Sequence, residues 1–120
     1  MNIHESAEDY LEAILMLQEE KGYVRSVDIA ARLDVTKPSV SFAMKRLREN
    51  GYILMDQENL ITLTESGEAI AQRVYGRHKV LSSCLEQLGV SPKTAREDAC
   101  NIEHDISEET FDIIKRRLQA

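Results

Sequence analysis

Three side chains in the last quarter of the sequence have the types and the spacing to hold a transition metal. Cys100, Glu103 and His104 stand at i, i+3 and i+4. On a helix they share one face and offer sulfur, oxygen and nitrogen to one point. A small core cysteine beside a charged, solvated helix edge is the plainer account, and it stays open at this point. Asp9 and Glu12, at i and i+3, form a second candidate pair. Taken alone they are more simply a solvated acidic face near a helix N-terminus, where negative charge is favoured. His78 is a third candidate, against the commoner case of a surface or satisfied core histidine.

Positioning these residues requires several helices. From His4 to about Glu20, apolar Ala7, Tyr10, Leu11, Ile14, Leu15 and Leu17 recur at helical spacing, which predicts an amphipathic helix closed by Gly22. Ser26 is the expected N-cap of a short helix through Leu33, and Asp34-Val35 makes a turn. Thr36 caps the next helix, with Pro38 in its first turn and Val40, Ala43, Met44 and Leu47 facing inward, and Gly51 closes it. Two strand-like runs, Tyr52 to Met55 and Leu60 to Leu63, flank polar Asp56-Gln57-Glu58-Asn59. Two short helices, a tight turn and then a hairpin is the order of a winged helix-turn-helix. Thr64 should cap a long helix to about Leu88, carrying Ile70, Val74, Leu81, Leu85 and Leu88 inward and His78 near its middle. Ser91-Pro92 opens the helix expected to hold Cys100, Glu103 and His104. Ser107 caps a last helix with the apolar stripe Phe111, Ile114 and Leu118.

Composition limits the function classes. Hydrophobic residues make up 42% of the 120 residues, with no Trp and two Phe, which predicts a mostly helical chain of one domain or two small lobes. Two cysteines make no disulfide framework and suit the cytoplasm. The opening residues lack a basic start and an apolar run, so no signal peptide is expected, and no stretch approaches a membrane span. The net charge of −6 is uneven: residues 21–50 carry Lys21, Arg25, Arg32, Lys37, Lys45, Arg46 and Arg48 against Asp28, Asp34 and Glu49, a local +4. One basic segment inside an acidic protein is the electrostatic footprint of a nucleic-acid contact.

The ordered set of motifs resembles the metal-dependent regulators of the diphtheria-toxin-repressor type, most closely their short manganese-transport-regulator branch. The resemblance rests on Glu8-Asp9-Tyr10-Leu11-Glu12-Ala13-Ile14, Asp28-Ile29-Ala30, Pro38-Ser39-Val40-Ser41, Leu63-Thr64-Glu65-Ser66-Gly67, Arg77-His78, and the run from Asp98 to Ser107. It implies a homodimeric transcriptional repressor that binds double-stranded operator DNA when loaded with Mn²⁺ or Fe²⁺, with Co²⁺ or Zn²⁺ able to substitute in vitro. The manganese-type ligands carry over onto Asp9, Glu12, His78, Glu103 and His104. Cys100 stands where the best-known manganese regulator has Glu; a Cys there resembles the iron-sensing branch and some manganese sensors, whereas Asp9 replaces the Met of the iron-sensing branch. Ser82 and Arg96 stand where the iron branch has the Glu and His of its ancillary site. The implied fold is mostly α: a winged helix-turn-helix in residues 1–64, then a helical metal-binding and dimerisation lobe in residues 65–120, without the SH3-like domain of longer relatives.

For DNA, the exposed side of residues 37–48 is the expected contact. Lys37, Ser39 and Phe42 are placed to reach base edges, Phe42 against a thymine methyl. Ser26, Ser41, Lys45 and Arg46 are placed to reach phosphates. Three rivals remain: a metal-independent winged-helix regulator, a helical interaction module stabilised by Zn²⁺, and a cysteine hydrolase using Cys100 and His104. The last is disfavoured, since no glycine-rich oxyanion loop appears and Cys100 is not at a helix start. No enzyme activity and no membrane partner are expected.

Overall fold

In the computed structural model, residues 3–119 are described, with side-chain surroundings given for residues 7–118. The element order is α1 (Ile3–Lys21), α2 (Ser26–Leu33), α3 (Lys37–Glu49), β1 (Ile53–Met55), β2 (Ile61–Leu63), α4 (Glu65–Gln87), α5 (Pro92–Ile102) and α6 (Glu108–Gln119). The chain divides into two compact units, Met1–Gln72 and Arg73–Ala120. The division falls inside α4 rather than at its start, so the first turns of that helix pack with the winged helix.

In the first unit, α1 packs on α2, α3 and β2, while α3 packs on β1. Leu11, Ile14, Val24, Ile29, Val40, Met44, Ile53 and Ile61 are almost wholly removed from solvent. Each contributes about 1.5–3 kcal/mol by burial, which is what holds three short helices together. The helical spacing read from α1 is realised, with Leu11, Ile14, Leu15 and Leu17 all buried.

Local chemistry sets the helix-turn-helix. The cap of α2 differs from the expectation: Ser26 is its first residue and Arg25 is the N-cap. Asp28 explains the shift, because its Oδ2 accepts the Arg25 N–H at 3.0 Å and its own N–H reaches Arg25 O. A carboxylate three residues into a helix thus does the capping that a hydroxyl at Ser26 was expected to do. Asp34 adopts the left-handed conformation (φ 54°), which its short polar side chain tolerates, and ends α2. Thr36 caps α3 as expected, its Oγ1 accepting from Ser39 N at 3.3 Å.

The wing is an antiparallel pair with Ile53 opposite Leu63, Leu54 opposite Thr62 and Met55 opposite Ile61. Its turn is closed by Asp56, whose Oδ1 accepts from the N–H groups of Glu58 (2.8 Å) and Leu60 (2.9 Å). The base is fixed by Thr64, whose hydroxyl donates to Gly51 O at 2.7 Å and accepts from Gly67 N at 3.2 Å. Gly67 lies so near Tyr52 that a Cβ there would overlap the Tyr52 carbonyl oxygen. The Leu63-Thr64-Glu65-Ser66-Gly67 run therefore has a mechanical cause: a cap, then a residue without a side chain where helix meets wing.

In the second unit, α5 buries Ala95 and Ala99 completely, small residues one turn apart that let a neighbouring element come close. Val74 and Leu81 of α4 are buried, but Leu88 is not: it is 77% exposed, because α4 ends at Gln87 before Gly89 turns the chain at φ 106°. Ser107 caps α6, its Oγ accepting from Thr110 N at 3.1 Å. The Phe111, Ile114 and Leu118 stripe is only half-buried, and Ile113 beside it is exposed.

Candidate metal centre and nucleic-acid interface

The helix bearing Cys100 stops at Ile102, so Glu103 and His104 lie in the turn after it and not within it. The path stays close to helical, since Glu103 N still donates to Ala99 O at 2.9 Å and Glu103 has φ −58° and ψ −24°. The i, i+3, i+4 grouping survives for that reason. Cys100 is at the surface, which removes the core-cysteine account, and its Sγ lies within 4.8 Å of a Glu103 carboxylate oxygen.

Glu103 is the centre of the group. It is 2% exposed, a condition that carboxylates rarely meet without partners. Its Oε2 is 3.1 Å from His78 Nδ1. With Glu103 as a carboxylate, that nitrogen donates, and a neutral ring keeps its lone pair at Nε2. Its Oε1 makes no hydrogen bond with any described residue, although His104 Nε2 stands 3.5 Å away. A buried carboxylate with one unsatisfied oxygen, two imidazoles and a thiol nearby is an incomplete electrostatic arrangement. Nitrogen, oxygen and sulfur donors of this kind fit a divalent transition ion.

Asp9 and Glu12 sit on α1 as their spacing requires, Asp9 half-buried and Glu12 only 7% exposed. Burial of Glu12 goes beyond what a solvated acidic face predicts. Arg77, which sequence reasoning did not single out as a site residue, donates from Nη1 to Glu103 O at 2.9 Å. Its only signal was its place beside His78 in one of the runs that carry the family resemblance.

On the first unit, α3 presents Lys37, Ser39, Ser41, Phe42, Lys45 and Arg46 on its exposed side, with Val40, Met44 and Leu47 turned inward. Ser26, half-buried, opens α2. Phe42 is 62% exposed, and the Arg46 guanidinium lies over its ring at 5.7 Å. An exposed aromatic among cations thus lies on the second helix of the helix-turn-helix, the element that in such motifs enters a major groove.

Residues 2–59 match the family model described as the iron dependent repressor N-terminal DNA binding domain. Residues 64–120 match that of the iron dependent repressor metal binding and dimerisation domain. The chain belongs to the iron-dependent repressor family. Among relatives of this repressor-family chain, the transcriptional regulator MntR of Escherichia coli O6:H1 is 44% identical over 111 residues, 92% of this chain and 72% of that protein. The HTH-type transcriptional regulator MntR of Geobacillus kaustophilus is 38% identical over 125 residues, covering 96% of this chain and 89% of that one. The crystal structure of T. acidophilum IdeR superposes with a TM-score of 0.86 at 29% identity, over 94% of this chain. This repressor-family chain spans about half (54%) of that structure's length. Winged helix-turn-helix followed by a helical metal-binding and dimerisation domain is thus both its observed order of elements and the order of its family.

Proposed function

We propose that this chain is a metal-dependent transcriptional repressor of the cytoplasm, a regulator and not an enzyme, that binds operator DNA as a homodimer in metal homeostasis. The observation that carries the metal half of the reading is Glu103: buried, bonded to His78 through one oxygen and unsatisfied at the other. Leaving a buried acceptor unpaired costs about 1–3 kcal/mol, a cost that native folds keep where a ligand removes it. We assign the ligand set to Asp9, Glu12, His78, Cys100, Glu103 and His104, with residues 1–64 as the DNA-binding domain and 65–120 as the metal-binding and dimerisation domain.

A bound divalent cation supplies positive charge to a set rich in carboxylates. Coupling of this kind between an effector and DNA is typically about 1–3 kcal/mol. The oxygen and nitrogen donors suit Mn²⁺, while the Cys100 thiolate softens the set toward Fe²⁺, with Co²⁺ and Zn²⁺ as substitutes in vitro. On the DNA side, Lys37, Ser39 and Phe42 are assigned to base edges and Ser26, Ser41, Lys45 and Arg46 to phosphates. The dimer is assigned to the C-terminal helices, where the half-buried Phe111, Ile114 and Leu118 stripe lies beside exposed Ile113.

The test is selection from a random DNA library under anaerobic conditions, with chelator, Mn²⁺, Fe²⁺, Co²⁺ or Zn²⁺ in parallel. Enrichment of a two-fold symmetric site only in the metal arms is the expected result. Equal enrichment in chelator identifies a metal-independent regulator instead. No enrichment in any arm, with metal bound in calorimetry, identifies a metal-stabilised interaction module.

A further inference from the structure

Adjacent residues of α4 hold Glu103 in two different ways. His78 takes its side chain through Oε2 at 3.1 Å, and Arg77 takes its backbone carbonyl at 2.9 Å. The same Arg77 nitrogen also reaches the carbonyl of Ile106 at 3.5 Å. These carbonyls belong to the exit of α5, where Asp105 and Ile106 N–H groups both fold back on Ile102 O at 2.9 and 3.3 Å. The last carbonyls of a helix have no partner within it, and they carry the negative end of its dipole. A guanidinium placed across them is a cap supplied by another helix, and it fixes the turn that presents both Glu103 and His104.

Arg77 has a third contact. Its guanidinium lies over the Phe111 ring, 5.1 Å from the centroid. Phe111 begins the apolar stripe of α6, and Ser107, the cap of that helix, is the residue directly after Ile106. One planar cation therefore touches the turn carrying two metal-ligand candidates and the helix assigned to dimerisation.

We propose that Arg77 is a positioning residue that sets the Glu103–His104 turn for metal and links that turn to α6, so that metal affinity and dimer affinity depend on each other through it. The inference rests on the metal-dependent repressor reading above and adds to it a residue and a direction of coupling. Linkage requires the effect to be reciprocal: if metal tightens the dimer, dimerisation tightens metal binding by the same factor. A lysine is not equivalent here, because its ammonium is a compact point charge, whereas the guanidinium sets one nitrogen on the carbonyls and its central carbon over the Phe111 ring.

The experiment compares wild type, Arg77→Lys and Phe111→Leu in three measurements: Mn²⁺ calorimetry, sedimentation with Mn²⁺ or chelator, and the ligand-field absorption of bound Co²⁺. Melting in chelator checks that each variant is folded. Arg77→Lys should lower Mn²⁺ affinity about 10–100-fold, the range for residues that orient metal ligands. It should also change the Co²⁺ spectrum and abolish the effect of metal on the dimer. Phe111→Leu keeps an apolar side chain and loses the aromatic face, so it should retain the Co²⁺ spectrum while losing the effect of metal on dimerisation. A merely structural arginine predicts a lower melting temperature with unchanged affinity and spectrum, and that result overturns the proposal. Retention of the metal effect on the dimer in both variants overturns it as well. Failure of wild type to bind Mn²⁺ or Co²⁺ in calorimetry marks the failure of the underlying reading, separately from that of Arg77.

Discussion

Replacing Glu103 by Gln should stabilise the metal-free protein and remove its response to metal. The side chain is fully buried, with Oε2 bonded to His78 Nδ1 and Oε1 unsatisfied 3.5 Å from His104 Nε2. Glutamine has the same shape. Its oxygen accepts from His78, and its amide nitrogen faces His104 Nε2 as a donor where the carboxylate had none to give. Removing one unpaired buried acceptor is worth about 1–3 kcal/mol, which for a chain of this size raises the melting temperature in chelator by about 4–12 °C. With Mn²⁺ at one hundred times its dissociation constant, wild type gains about 2.7 kcal/mol, and a hundredfold weaker site gains about 0.4 kcal/mol at the same concentration. The variant should therefore melt higher in chelator and gain almost nothing from Mn²⁺, while wild type closes the gap and overtakes it wherever that gap is below about 2.3 kcal/mol. Thermal unfolding followed by circular dichroism, in chelator and across a Mn²⁺ series, measures both. A variant that melts lower than wild type in chelator would refute the argument, because it would make the carboxylate a structural partner and not a waiting ligand.

The other expected outcomes concern separate parts of the fold. Gly67→Ala forces a Cβ into the Tyr52 carbonyl, a backbone atom that cannot swing away, and should cost about 1–3 kcal/mol in urea unfolding. Asp28 is acted on by burial, which raises its pKa, but the Lys21 ammonium and the Arg25 N–H outweigh it and hold the carboxyl below its ordinary 3.8. Its contribution to stability is therefore present above pH 3.8 and lost as pH falls through the lowered value, and Asp28→Asn should flatten that acid limb in unfolding curves. Cys100→Glu should move the metal response of DNA binding from Fe²⁺ and Co²⁺ toward Mn²⁺. Cys100→Ala should lose that response at an unchanged melting temperature, and unchanged metal-response curves for Cys100→Ala would exclude the thiol as a ligand.

Much of this arrangement was legible because periodicity and caps are local. The apolar spacing of α1 and α3, the hydroxyl caps at Thr36, Thr64 and Ser107, and the polar Asp56 to Asn59 turn each depend on neighbours a few residues away. The misplaced features are those in which two local signals compete. Ser26 has the better capping side chain, yet Asp28 captures the Arg25 N–H and moves the cap back. At Ile102 no Gly or Pro announces the end of α5, so sequence reasoning carried the helix through Glu103 and His104. The Arg77 contact was not legible at all, because it joins residues 26 and 29 positions apart that share no periodicity.

The closed turn of the wing bears on how this protein meets a polyanion. Its four residues, Asp56-Gln57-Glu58-Asn59, include two acids and no base, and Asp56 spends its carboxylate on the turn's own N–H groups. Such a tip repels phosphate, which leaves the proposed α3 surface, and not the hairpin, to displace cations condensed on a duplex. With Lys45 and Arg46 as the proposed phosphate cations of each protomer, a dimer brings four, and the logarithm of affinity should fall with the logarithm of salt at a slope of about −4. Binding by this chain of net charge −6 should therefore depend on salt less than half as steeply as that of repressors with slopes of about −10.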